Sequence, residues 1–212
     1  MSGALTARAM IEAYAMGIFP MAASAHTSEL HWFEPTQRGI LPVGGVHVSR
    51  SMRRWLRHCG WQASIDQDFM GVVAGCADRD ETWINAGLTQ LYAELFAMGH
   101  AHSLEIRQDG ALIGGVFGLS LGGAFFAESM FSRRDNASKA ALIWLSAHLK
   151  RCGFVLWDTQ YPNPHLASMG GQTIDRAAYR QRLAHALTLR ADFTAHALPD
   201  VQALLQDTTQ TS

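Results

Sequence analysis

Apolar positions along the chain switch between a helical and a strand period. Leu5, Ala9, Ile11 and Tyr14 fall at helical spacing, and "GIFP" ends that helix, because Gly17 can cap it and Pro20 cannot continue it. Apolar stretches at 30–33 and 39–41 follow, broken by Pro35, Pro42 and the Gly44-Gly45 pair. Residues 1–45 are therefore expected to form a small N-terminal domain, and 46–212 a larger one. Ser49 is placed to cap a helix through "SRSMRRWLRHC". "WQASI" predicts a short strand, "DFMGVVAGCA" a helix, and 87–99 a helix with Leu88, Leu91, Tyr92, Leu95 and Phe96 on one face. The pattern then shortens to strand alternation. "AHSLEIRQDGALIGGVFGLSLGGAFFAESMFS" reads as a three-strand meander, with Asp109-Gly110 a strong hairpin signal and Gly122-Gly123 a weaker one. A helix over 136–150, a strand in "GFVLWD" and a helix in "DRAAYRQRLAHAL" complete an α+β (mixed α/β) chain whose polar tail, from about 195, is expected to fray.

Composition narrows the class. Hydrophobic residues make up 48% and charged residues 17% of 212, enough for one ordinary core and too apolar for disorder. The net charge of −1 excludes a general polyanion binder, so any nucleic-acid contact must come from a local basic patch. The three cysteines, Cys59, Cys76 and Cys152, are odd in number and lack a CxxC spacing, which argues against a disulfide framework or a structural zinc. No signal peptide or apolar run of membrane-spanning length is read, so a cytoplasmic monomer without membrane contact is expected.

Glu128 sits within the apolar third strand of the meander. In a regular strand it shares a face with Phe126 and Met130, and Phe125 and Ala127 point the other way, unless a bulge re-aims one of them. A carboxylate on an apolar face is costly unless hydrogen-bonded or paired. Pattern alone leaves open a structural acid, a solvated face or a site. Asp158 ends "FVLWD", with Gln160 two residues on, where strand ends of open sheets gather ligands; a turn-forming Asp is the other reading. Arg50, Arg53, Arg54 and Arg57 form one helical stripe suited to phosphates or to water, with Trp55 nearer the core side. His100 and His102 lack partners spaced to complete a metal site and are read as structural; no metal is expected. Asp158, His165 and Ser168 lack the strand–turn–helix context of a hydrolase triad, and neither GxGxxG nor a Walker A motif occurs.

Together "AYAMGIFPM", "HWFEPTQRGILP", "HVSRSMRR", "ETWI", "GHAHSLE", "GGVFG", "ESMFSRRDNASKAAL" and "WDTQ…NPHLASMG", in that order over about residues 13–176, resemble the leucyl/phenylalanyl-tRNA–protein transferase family. The resemblance implies an acetyltransferase-superfamily-like (GNAT-like) domain with a small N-terminal domain. It implies transfer of Leu or Phe, with Met a further donor, from charged tRNA to the α-amine of proteins beginning with Arg or Lys, marking them for degradation. Aminoacyl-tRNA is then the co-substrate and no cofactor is expected. The resemblance assigns Glu128, Asp158 and Gln160 to the catalytic group. It places Trp32 and Trp83 around the terminal adenosine, Phe125 and Met130 near the amino-acid side chain, and Asn163 beside them. Trp157 stands where the family more often has an aliphatic residue and is expected to narrow that pocket. In this reading Asp158 orients the acceptor amine and takes its proton through Gln160, Glu128 binds the aminoacyl-adenosine, and the arginine stripe holds acceptor-stem phosphates. Two rivals remain at this stage. An acetyl-CoA-dependent N-acetyltransferase would want a glycine where "RRDNASKA" has none. A non-enzymatic tRNA-binding module would use only the arginine helix.

Overall fold

The computed structural model describes residues 5–27 and 29–207. Its elements follow the period changes. Helix α1 (Ala7–Ala15), capped by the Thr6 hydroxyl, leads into a two-stranded antiparallel sheet of β1 (Phe19–Ala22) and β2 (Leu30–Phe33). Next come β3 (Gln37–Leu41), α2 (Arg50–Leu56), β4 (Gln62–Ile65), α3 (Phe69–Ala77) and α4 (Ala86–Ala97). The meander is β5 (Ala101–Gln108), β6 (Ala111–Leu121) and β7 (Ala124–Ser132). Asp109 and Gly110 both take positive φ, 50° and 79°, as a two-residue hairpin needs. The chain continues through α5 (Ala137–Arg151), β8 (Leu156–Gln160), α6 (Pro164–Ser168), β9 (Gln172–Asp175), α7 (Arg176–Leu187) and α8 (Val201–Asp207).

The larger sheet has seven strands in the order β4-β5-β6-β7-β8-β3-β9. The β7–β8 pair is parallel, and α5 supplies its crossover; the other pairs are antiparallel. Each face buries its own core. Met52 and Leu56 of α2, the inner side of α5, and Leu204 and Leu205 of α8 cover one face. Met10 and Tyr14 of α1, Phe69 and Val72 of α3, Leu88 and Tyr92 of α4, and Tyr179 and Leu183 of α7 cover the other.

Two expectations change. The boundary placed at residue 45 falls too late: β3 already lies between β8 and β9 in the larger sheet, because Ile40 and Leu41 are buried there. The tail does not fray over its described part, since α8 buries two leucines and the Trp144 indole donates to Pro199 O at 3.1 Å; residues 208–212 lie outside the described residues. Short α6 and β9 escaped the sequence reading. His102 is structural as expected, its Nδ1 2.8 Å from Asp66 and its ring stacked on Phe193. No helix among the described residues is long and apolar enough to cross a membrane.

Candidate active site

Strands β7 and β8 pair only from Ala124↔Leu156 to Phe126↔Asp158. Beyond that rung they part, and a cleft of about 310 Å³ opens between them. Its polar lining includes Arg79, Glu128, Gln160 and Asn163, and its apolar lining Val116, Ala127, Met130, Leu142 and Leu166. Trp83, from the loop between α3 and α4, flanks it.

Two bulges aim the polar groups. On β7, Ala127 pairs with Gly118 and Ser129 with Phe117, so Glu128 has no partner on β6. The extra residue leaves Glu128 on the Phe126 side and sends Met130 to the opposite face, where it packs on the other core. Glu128 and Met130 therefore do not share a face as a regular strand would have it. Gly118 is required here, because a Cβ would collide with Phe126 O and the Phe125 ring. On β8, Gly39 pairs with Gln160 and Ile40 with Asp158, leaving Thr159 unpartnered. Gln160 takes φ 63°, a left-handed conformation uncommon outside glycine, and its N–H donates to Asp158 Oδ1 at 2.8 Å.

Glu128 is 7% exposed. Tyr14 OH donates to its Oε1 at 2.7 Å, Gln160 Nε2 to the same oxygen at 3.0 Å, and Tyr92 OH to Oε2 at 2.8 Å. A carboxylate offers about four lone-pair sites, so one on Oε2 remains open. Burial pushes the Glu128 carboxyl up to about 7, against the lowering effect of the two tyrosine hydroxyls. Burial, then the Glu128 charge, raises both tyrosines well above their ordinary range, so they remain donors.

Asp158 sits behind Gln160. It is fully buried and does not line the cleft. Arg38 Nε donates to both its oxygens at 2.9 and 3.1 Å, Arg38 Nη2 to Oδ2 at 2.6 Å, and Tyr179 OH to Oδ2 at 2.7 Å. With Gln160 N–H added, its lone pairs are filled, and it holds the Gln160 backbone. Burial works against the Arg38 cation, but hydrogen bonding and the charge of Asp158 more than offset it, so Arg38 is held above its ordinary value. Arg38 also donates to Gly17 O at 3.0 Å and lies over the Phe19 and Tyr179 rings.

The remaining expected residues divide. Trp83 and Met130 border the cleft, as does Asn163, whose Oδ1 caps α6 by accepting from His165 N–H at 2.8 Å. Phe125 does not: it is 1% exposed, stacked on Phe193 and edge-on to Phe154 in the core behind. Trp157 is likewise fully buried and narrows nothing in the cleft. Trp32 is exposed on β2 and does not border the cleft. On α2, Arg50, Arg54 and Arg57 are exposed, whereas Arg53 is half-buried and donates to Val48 O at 3.1 Å. Sequence reasoning missed Tyr14, Tyr92, Arg38 and Tyr179. A signal existed for the first two: each is a tyrosine on an apolar helix face, and a buried hydroxyl needs a partner.

The family model for leucyl/phenylalanyl-tRNA protein transferase matches residues 40–184, and that for the N-terminal domain of the same family matches residues 3–36. The chain is 76% identical over 212 residues to a protein of Paracoccus denitrificans named leucyl/phenylalanyl-tRNA–protein transferase, covering 100% of both chains. It is 55% identical over 202 residues to the protein of that name from Dinoroseobacter shibae, covering 95% of this chain and 91% of the relative. The crystal structure of FemX superposes with a TM-score of 0.52 at 10% identity, over 79% of this chain and 66% of that one, a likeness of fold. The arrangement around Glu128 thus lies in a chain that belongs to the leucyl/phenylalanyl-tRNA–protein transferase family and is an aminoacyltransferase.

Proposed function

We propose that this enzyme moves Leu or Phe, with Met a further donor, from charged tRNA to the α-amine of proteins that begin with Arg or Lys, and that the product is marked for degradation in the cytoplasm. The observation that carries the reading is the cleft between β7 and β8. It combines an apolar lining with a carboxylate that keeps one free lone pair.

The donor ester is already activated, so the reading needs no cofactor. An acceptor amine with a pKa of about 8 is roughly a tenth neutral at pH 7. Holding amine and ester together supplies about 7–11 kcal/mol of the barrier. The amine nitrogen bonds to the ester carbonyl carbon, the bond from that carbon to the ribose oxygen breaks, and the proton lost from nitrogen ends on that oxygen. Glu128, brought near neutrality by burial, suits the transient acceptance of that proton. Gln160 holds Glu128, and Asp158 with Arg38 holds Gln160. Trp83 offers a ring to the adenine, and Met130, Leu142 and Leu166 take the transferred side chain out of water. Exposed Asp80 and Glu81 lie between the cleft residues Arg79 and Trp83, which suits a cationic acceptor side chain.

The test combines purified protein, labelled leucyl-tRNA and peptides beginning with Arg, Lys or Gly. Label is expected on the Arg and Lys peptides and not on the Gly peptide. Equal labelling of all three would remove the acceptor preference, and no labelling would remove the activity.

A further inference from the structure

A second pocket, of about 350 Å³, lies where α2, the N-terminal turn of α5 and the end of α6 meet. Its polar lining is Lys139, His47, Asn136 and the hydroxyls of Ser49, Ser51 and Ser168, and no carboxylate lines it. No ion pair engages Lys139 among the described residues. Asn136 stands at φ 71° before α5 and makes no side-chain capping bond, so its amide is uncommitted there. The apolar lining is Trp55, half-buried and T-shaped against Trp61, together with Met52, Ile143 and Met169. A cation and an amide in one pocket with an aromatic ring and aliphatic side chains suit one ligand chemistry, a phosphate joined to a flat base.

Position selects the source. α2, which lines the pocket through Ser51, Met52 and Trp55, also carries the exposed Arg50 and Arg54, with Arg57 at its C-cap. The pocket also shares α5 and α6 with the cleft: Leu142 faces the cleft and Ile143 the pocket, Leu166 the cleft and Met169 the pocket. The pocket therefore lies between the arginine helix and the transfer cleft. We infer that it is a nucleotide subsite, taking one base and phosphate of the single-stranded 3′ end of the donor RNA, upstream of the aminoacylated adenosine. This rests on the function proposed above. The subsite makes the donor's 3′ strand a second handle, so that the adenosine enters the cleft already threaded past α5.

Lys139→Glu and Lys139→Ala test it. Two donors are compared, leucyl-tRNA and 3′-leucyl-adenosine, which lacks the upstream nucleotides. A short single-stranded RNA ending in CCA supplies a direct dissociation constant by fluorescence anisotropy. Lys139→Glu is expected to raise KM for leucyl-tRNA about tenfold more than for leucyl-adenosine, and to weaken the short RNA by about tenfold, with Lys139→Ala between. Equal losses on both donors, or an unchanged dissociation constant for the RNA, would overturn the subsite. If wild-type protein transfers leucine from neither donor, the proposed activity fails. The RNA affinity of the two variants then decides the subsite alone: a drop supports it and no drop overturns it.

Discussion

Glu128 is where burial and function conflict at the scale of one residue. Its carboxyl sits near 7 in the fold, against an ordinary value of 4.5, and burial is the main cause. Between those two values the folded state keeps a proton that the unfolded chain has released, so stability falls as pH rises through that interval and levels off above it. A glutamine there bears no such penalty. Glu128→Gln is therefore expected to gain up to about 3 kcal/mol relative to wild type between pH 5 and pH 8 in urea unfolding. A difference that does not change with pH would place the carboxyl in an ordinary environment. The oddity of Glu128 was legible in the sequence, because an acid amid "FFAESMF" needs an explanation. The role of Asp158 was not. Its donors Arg38 and Tyr179 stand 120 and 21 positions away, and no local pattern reveals that every lone pair is filled.

At the scale of elements, periodicity and turn chemistry read well. The Asp109-Gly110 hairpin, the Ser49-capped helix and the long α5 all lie where composition placed them. A bulge in the Glu128 strand was left open and the one at Thr159 did not show, because one extra residue leaves no compositional mark beyond a nearby glycine, and each bulge redirects the side chains that follow. That is why Met130 leaves the face a regular strand would give it, whereas Phe125, ahead of the bulge, turns into the core on the face away from Glu128. Helix α2 carries its own prediction. Replacing Arg50, Arg54 and Arg57 together with Ala should lower the slope of log binding constant against log salt for tRNA by roughly 2 to 3, since each arginine that meets a phosphate releases about one counterion. An unchanged slope would take that helix off the RNA surface.

Over the whole molecule, the small N-terminal lobe is part of the site rather than an attachment to it. Tyr14 reaches from α1 to Glu128, and Gly17 O accepts from the Arg38 that holds Asp158. Asn85 Nδ2 at the start of α4 donates to Thr27 O at 2.7 Å, and Arg176 of α7 pairs with Glu34 at 3.4 Å. These joins connect residues far apart in sequence, so the chain's order displayed two units but not that their contact builds the polar lining of the cleft. The account as a whole depends on Glu128 as the group that takes the amine's proton. Its most direct test is the ratio of wild-type to Glu128→Gln kcat/KM for leucine transfer to an Arg peptide, followed from pH 5.5 to 8.5. The ratio cancels the titration of the peptide amine. It should rise with a midpoint near 7 and reach at least about a hundredfold at the alkaline end. A ratio that stays flat across that range, or near one throughout, would contradict the account.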